Sequence, residues 1–188
     1  PSTILLPYDQ RPPHVKTRGT ATLDELVLLL WLWDRVGRLG LVREFEVDGS
    51  DEAPVFCVAK DEDQDRQIIN RKARNAKEAF LPTPAMPHPS LICQIFLLST
   101  QVLLMSIDDL AHFYHSFVVT SERALSNVVG PIFKAAEWFG SKAHGGKFGP
   151  CERVRALFHG LPMGDKNAVT FAQESHSNVI KAAGGQLD

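Results

Sequence analysis

Two neighbouring carboxylates, Asp108 and Asp109, follow a hydrophobic run at residues 102–107 that the sequence predicts to be a buried strand. A carboxylate directly after a buried strand lies at the rim of a hydrophobic core. Hard divalent cations such as Mg²⁺ bind oxygen ligands and keep several of their waters. The pair could therefore hold a metal ion, although acidic pairs are also common in solvated turns and at helix starts.

Two cations stand on either side of a predicted β-hairpin tip, where they could bind a multiply charged phosphate chain. Residues 55–58 and 67–69 have the composition of strands, and a charged turn separates them. Lys60 and Arg66 flank that turn, and basic side chains in such an arrangement suit phosphate oxygens. A surface hairpin with a solvated basic flank explains the same residues.

A third segment is a turn that leads into an amphipathic helix. The turn reads Leu-Pro-Met-Gly at residues 161–164, and apolar residues recur at helical spacing from 167 to 183. Pro162 restricts one side of the turn, and Gly164 allows a positive φ or the close approach of another backbone. A base pair or sugar could lie against this bare backbone, but a plain strand–turn–helix junction has the same pattern.

The elements that must position these segments are mixed helices and strands. Thr22 and Glu25 form a capping box before an apolar helix through residues 26–33, which should end near Gly37 or Gly40. Further along, the sequence predicts a loop at 81–89, a possible helix at 91–98, strands at 117–119 and 154–158, and a helix followed by a loop within 130–150. These elements together predict an α+β fold.

Composition restricts the class of protein without deciding it. The chain has 188 residues and a formal net charge of -2, so a nucleic-acid binder would need a local basic face. Cys57, Cys93 and Cys151 are widely spaced and odd in number, which argues against a disulfide framework or a zinc site. The longest apolar run is too short to span a bilayer. Because the chain begins at Pro1 without a signal-peptide pattern, we expect an internal part of a longer intracellular protein, cytoplasmic or nuclear.

In their order along the chain, the three segments resemble the motifs of a reverse transcriptase of the retroelement type. Residues 109–119 read Asp-Leu-x-x-x-Tyr-His-x-Phe-x-Val, which is similar to motif A. Residues 161–173 resemble motif B, and residues 55–75 resemble the fingers hairpin. The resemblance implies an α+β fold that is part of the fingers and palm of a right-hand polymerase. This region would occupy residues 53–188, after an N-terminal arm and helix at 1–52.

The resemblance also implies roles for single residues. Asp109 would bind the catalytic Mg²⁺ (or Mn²⁺) ions together with the backbone carbonyl of Leu110, and Asp108 is the alternative ligand. Tyr114 would pack under the sugar and exclude a 2′-hydroxyl. The other residues expected to contact the nucleotide, primer or template are Lys60, Arg66, Lys72, Leu110, Met163, Gly164, Lys166 and Gln173.

Some positions depart from the family pattern. Lys60 and Arg66 fall where the family grips the triphosphate, but Asn70 replaces the Asp that is thought to brace these cations. Lys72 replaces the usual Arg, and Arg74 replaces the usual Leu. Motif C, a hydrophobic-x-Asp-Asp hairpin, does not occur after the motif B helix in this sequence. We therefore expect that the chain does not polymerise by itself and that the rest of the polymerase supplies motif C and the thumb.

The sequence thus predicts part of an RNA-directed DNA polymerase, which transfers a deoxynucleotide to a primer 3′-hydroxyl by a two-metal mechanism. Its partners would be dNTP and an RNA or DNA template-primer, with no membrane. The alternative is a degenerate palm that binds nucleic acid without catalysis, which Asn70 and the missing motif C favour. A viral-type RNA-directed RNA polymerase is a third possibility, against which the aromatic Tyr114 argues.

Overall fold

A computed structural model of the chain describes residues 4–13, 15, 17–82, 89–104 and 112–184. In these ranges the strands are β1 (Leu39–Arg43), β2 (Val55–Ala59), β3 (Asp65–Ile69), β4 (Val128–Lys134) and β5 (Arg153–Phe158). The α-helices are α1 (Leu23–Arg35), α2 (Lys72–Lys77), α3 (Phe113–Ser116), α4 (Ser121–Ala124) and α5 (Ala168–Ala182). The mixture of helices and antiparallel strands agrees with the expected α+β class.

Helix α1 begins at the predicted capping box. The Thr22 hydroxyl accepts a hydrogen bond from the backbone N–H of Glu25 (3.3 Å), and the Glu25 carboxylate accepts one from the Thr22 N–H (2.7 Å). Gly37, with a φ of 69°, follows the end of the helix. One face of α1 is buried against the sheet, while Leu28 and Leu32 are exposed on another face. The helix predicted from the sequence is confirmed.

A three-stranded antiparallel sheet in the order β1-β5-β4 carries the main core. Helix α1 packs on it through Leu30 and Trp33, and the Trp33 and Phe158 rings lie 4.5 Å apart between centroids. Because β1 and α1 share this sheet and core with β4 and β5, the packing extends across the division expected near residue 52. The sequence analysis did not predict β1.

The helix expected within residues 130–150 is wrong, because the chain there first forms β4 and then a 3₁₀ turn at Ala135–Trp138. Gly130, with a φ of 72°, and Pro131 interrupt the alternation that marks a strand. The pairing of β4 with β5 shifts register between Val129 and Phe133. A bulge of this kind hides a strand from a sequence pattern.

Strands β2 and β3 form the predicted antiparallel hairpin. Val55 pairs with Ile69 and Ala59 pairs with Asp65, and the Lys60 N–H donates to the Gln64 carbonyl (2.9 Å) at the turn. The predicted strand at 154–158 corresponds to β5, and the predicted helix at 167–183 corresponds to α5. Both predictions are confirmed.

The hydrophobic run before the acidic pair was predicted to be a buried strand. The part of it that the structure describes differs from this prediction. Residues 102–104 form no strand, and Val102 and Leu104 are exposed rather than buried. The possible helix at 91–98 is reduced to a 3₁₀ turn at Pro89–Gln94. Hydrophobicity alone predicted burial here, but no described element covers these side chains.

No helix within the described ranges is long and apolar enough to cross a membrane.

Candidate functional site

A cavity of about 520 Å³ lies where the β2–β3 hairpin, the start of α3 and the turn before α5 meet. Its lining residues are Lys60, Gln64, Asp65, Arg66, Gln67, His112, Phe113, Tyr114, His115 and Met163. The fold thus brings four of the predicted site residues, from three distant segments, to one cavity. We call this cavity the cleft.

The two hairpin cations of the cleft are accessible to a ligand. Lys60 Nζ donates to the side-chain oxygen of Gln64 (3.1 Å) and lies 3.9 Å from the Asp61 carboxylate. Both partners of that ion pair are about half exposed, and exposed pairs contribute little to stability. Arg66 is exposed on β3 opposite Val58. An anionic ligand could therefore bind both cations without breaking a buried contact.

Tyr114 reaches the cleft from α3, which packs on α5. It is half-buried and contacts the small hydrophobic cluster of Leu161, Ala168 and Ala172. The segment after α3 is joined to the strand side of the turn by a bridge between Val118 and Gly160. Residues 117–119 do not form the predicted strand. This single bridge aligns them with the residues before the glycine turn.

His112 and His115 form part of the wall of the cleft. His112, at the start of α3, has a φ of 53° and is the single non-glycine residue with a positive φ among the described residues. Backbone strain of this kind often occurs at functional sites. Burial is the main cause that lowers the pKa of His115, and electrostatic repulsion from His112 and Arg38 adds to it. The shift favours the neutral form of this imidazole.

The glycine turn is in close contact with the hairpin strand. A Cβ at Gly164 would collide with the carbonyl oxygen of Ile69, so the glycine is needed for close backbone approach. Asn75, in α2, donates from Nδ2 to the Gly164 carbonyl (2.6 Å) and accepts at Oδ1 from the Lys166 N–H (3.1 Å). Of the two explanations for this glycine, the structure supports close approach.

Like Gly164, three further predicted contact residues do not line the cleft. Lys166 Nζ donates to the carbonyl of Glu78 (2.6 Å), near the end of α2, and lies 4.4 Å from the centroid of the Phe80 ring. This placement differs from the template or triphosphate contact predicted for Lys166, because backbone carbonyls at the C-terminal end of α2 accept from its ammonium group. Lys72 is exposed at the first position of α2, and Gln173 is half-buried on α5.

The predicted metal ligands Asp109 and Leu110, and the alternative Asp108, lie outside the described residues. Among the residues that the structure describes, no group of three or more His, Cys, Asp or Glu side chains is arranged to hold a metal ion. The metal site therefore remains a prediction from the sequence.

Asn70 donates to the Arg18 carbonyl (3.3 Å) and accepts from the Lys72 N–H (3.3 Å), so neither contact braces the cations of the cleft.

A buried network of charged side chains behind the cleft was not predicted from the sequence. Arg71 and Arg123 both bind the carboxylates of Glu78 and Asp165, and all four side chains are buried. Burial alone would raise the pKa of Glu78, but the charge of Arg71 and hydrogen bonds from Arg123 lower it to about 2. A solvated basic flank was the alternative explanation for the cations around and after the hairpin, but Arg71 is buried. The buried network has one local signal in the sequence, which is the spacing of Arg74 and Glu78. These two residues form an i,i+4 ion pair (2.9 Å).

No family model matches the sequence, and no curated protein matches it. In structure, the chain is similar to a foamy viral protease-reverse transcriptase that was solved in complex with double-stranded DNA, with a TM-score of 0.53 and 13% identity. The similarity covers 91% of this chain and 25% of the viral chain, so this chain spans about a quarter of the viral protein. At this identity the likeness shows the fold: a mixed helix-and-sheet architecture shared with a region of a reverse transcriptase.

Proposed function

We propose that the chain is part of the fingers and palm of an RNA-directed DNA polymerase and that its cleft binds the incoming deoxynucleoside triphosphate. The observation that carries the proposal is the shared cavity, which is lined by Lys60, Arg66, Tyr114 and Met163. Sequence motifs predicted these residues, separately, to contact one ligand. The likeness of the fold to a reverse transcriptase region supports the same function.

The four predicted residues of the cleft have different roles in this proposal. Lys60 and Arg66 offset the negative charge of the triphosphate through charge-assisted hydrogen bonds. Tyr114 packs against the sugar and discriminates against a 2′-hydroxyl, and Met163 lies against the nascent base pair. Asp109 and the carbonyl that follows it would hold Mg²⁺ or Mn²⁺, which stabilises the charge that develops on the phosphoryl oxygens.

The proposed reaction is a nucleotidyl transfer. The 3′-hydroxyl oxygen of the primer attacks the α-phosphorus, a new P–O bond forms, and the bond from that phosphorus to the bridging oxygen breaks. Pyrophosphate leaves with the electron pair, and the hydroxyl proton passes to solvent. Cations beside the β- and γ-phosphates favour this step because they stabilise the charge on the leaving group.

A degenerate palm that binds nucleic acid without catalysis is the second candidate. Two placements favour it: Asn70 does not brace the cations of the cleft, and Lys166 is bound to backbone carbonyls near the end of α2. This candidate predicts salt-dependent binding to a primer-template that does not require a divalent metal. A magnesium-dependent gain in dNTP affinity would contradict it.

The direct test is calorimetric titration of the chain with dTTP in the presence of Mg²⁺. A hydrogen bond to a charged group contributes about 1.5–3 kcal/mol, so Lys60→Ala and Arg66→Ala should each weaken binding about tenfold or more. Lys134→Ala and Arg35→Ala are matched controls, since they remove exposed cations from β4 and α1. The proposal fails if wild-type chain does not bind dTTP or if the controls lose as much affinity as the cleft variants.

A further inference from the structure

The turn that carries Met163 into the cleft is held both by local hydrogen bonds and by contacts with residues far away in the chain. The Asp165 N–H donates to the Pro162 carbonyl (3.1 Å), which closes the turn locally. The long-range contacts come from α2, from Arg71 directly before it, and from α4. The position of Met163 in the cleft therefore depends on how the turn is attached to these helices.

The side-chain amide of Asn75 makes the central attachment. It donates to the carbonyl of Gly164 (2.6 Å) and accepts from the N–H of Lys166 (3.1 Å), so it binds the backbone on both sides of Asp165. A carboxamide is suited to this task because its donor nitrogen and acceptor oxygen are bonded to the same carbon. The Lys166 ammonium group adds a bond in the opposite direction, to the Asn75 carbonyl (3.3 Å).

The buried ion network fixes the same turn from behind. The Asp165 carboxylate binds Arg71 and Arg123, each at 2.5 Å, and the Glu78 carboxylate binds both arginines as well. Asn75 lies in the helix between Arg71 and Glu78, and Arg71 Nη1 also donates to its Oδ1 (3.4 Å). The amide and the network thus form one rigid connection between α2 and the turn.

We infer that Asn75 is a positioning residue, which sets how far the Met163–Gly164 turn projects into the cleft and thereby the affinity of the cleft for a nucleotide. This inference rests on the proposed function for its consequence, but the placement of Met163 can be measured independently. Asn75 does not line the cleft, so it acts through the turn rather than on the ligand.

The experiment uses chain labelled with ¹³C in the methionine methyl groups, where the three methionines give simple spectra and Met163→Leu assigns the signal of Met163. Asn75→Asp keeps the acceptor for Lys166 but replaces the donor to Gly164 with a repelling oxygen. It should shift the Met163 resonance and weaken dTTP binding about three- to tenfold, the effect of one net hydrogen bond. Asn178→Asp, the same change at an exposed site on α5, should alter neither.

The two readouts separate the inference from the function on which it rests. An unchanged Met163 resonance in Asn75→Asp would overturn the inference, and so would a shifted resonance with unchanged dTTP affinity. Absence of dTTP binding to wild-type chain would instead refute the proposed function, while the resonance would still test the attachment. If Asn75→Asp does not fold, Asn75→Ser removes both bonds without adding a charge and is judged by the same criteria.

Discussion

Replacing Asp165 with Asn is the perturbation that tests the buried network most directly. The change removes one negative charge from a site where Arg71 and Arg123 are both bound at 2.5 Å. An Asn side chain has nearly the same shape, and its oxygen can still accept from the Asn167 N–H, which now lies 2.8 Å from the Asp165 carboxylate. The variant therefore isolates the effect of the charge from the effect of the turn.

The expected loss of stability follows from the burial of the partners. Removing one partner of a buried ion pair commonly costs about 3–5 kcal/mol, because the other charge is left without compensation. Glu78 still binds both arginines, so we expect a value near the lower end, about 3 kcal/mol. A domain of this size has a total stability of roughly 5–15 kcal/mol, so the variant should still fold.

Urea unfolding followed by tryptophan fluorescence measures this loss as a lower transition midpoint at an unchanged slope. Asp63→Asn is the matched control, since Asp63 is exposed in the hairpin turn. The control should change the free energy of unfolding by less than about 0.5 kcal/mol. An equally small change in Asp165→Asn would refute the conclusion that the buried charges hold the turn to α2.

Three further predictions concern acid stability, the glycine turn and the sugar. Because the pKa of Glu78 falls from 4.5 to about 2 on folding, its stabilisation of about 3 kcal/mol is present above pH 4.5 and is lost as the pH falls towards 2. Acid titration of Glu78→Gln should show a smaller loss over that range, and an identical loss would contradict this assignment. Gly164→Ala should lower the unfolding temperature by several degrees through its collision with the Ile69 carbonyl, whereas Gly149→Ala, with room for a methyl group, should not. Tyr114→Ala should raise the affinity for UTP relative to dTTP, and an unchanged ratio would exclude Tyr114 as the sugar-selecting residue.

Elements whose signals lie within a short stretch of sequence were predicted well. The capping box at Thr22 and Glu25 determines the start of α1, because both groups of the box are local. The hairpin follows from two short hydrophobic stretches and the charged turn between them. Strand β4 could not be recognised because Gly130 and Pro131 interrupt its pattern, and its pairing with β5 depends on residues far along the chain.

The candidate site likewise has residues that local motifs identified and contacts that depend on distant parts of the chain. Motifs identified Lys60, Arg66, Tyr114 and Met163, and the fold places all four around one cavity. The contacts of Lys166 could not be predicted, because they depend on carbonyl groups at the end of a distant helix. The sequence shows which chemical groups a side chain carries, but tertiary packing determines which backbone groups it contacts.

The proposed function requires that the cleft binds a nucleoside triphosphate, and a crystal structure of the chain with dTTP and Mg²⁺ would test this directly. We expect the triphosphate between Lys60 and Arg66, the sugar against Tyr114, and the base on the side of Met163. A dTTP molecule bound elsewhere on the chain, with the cleft free of ligand, would refute the proposed function.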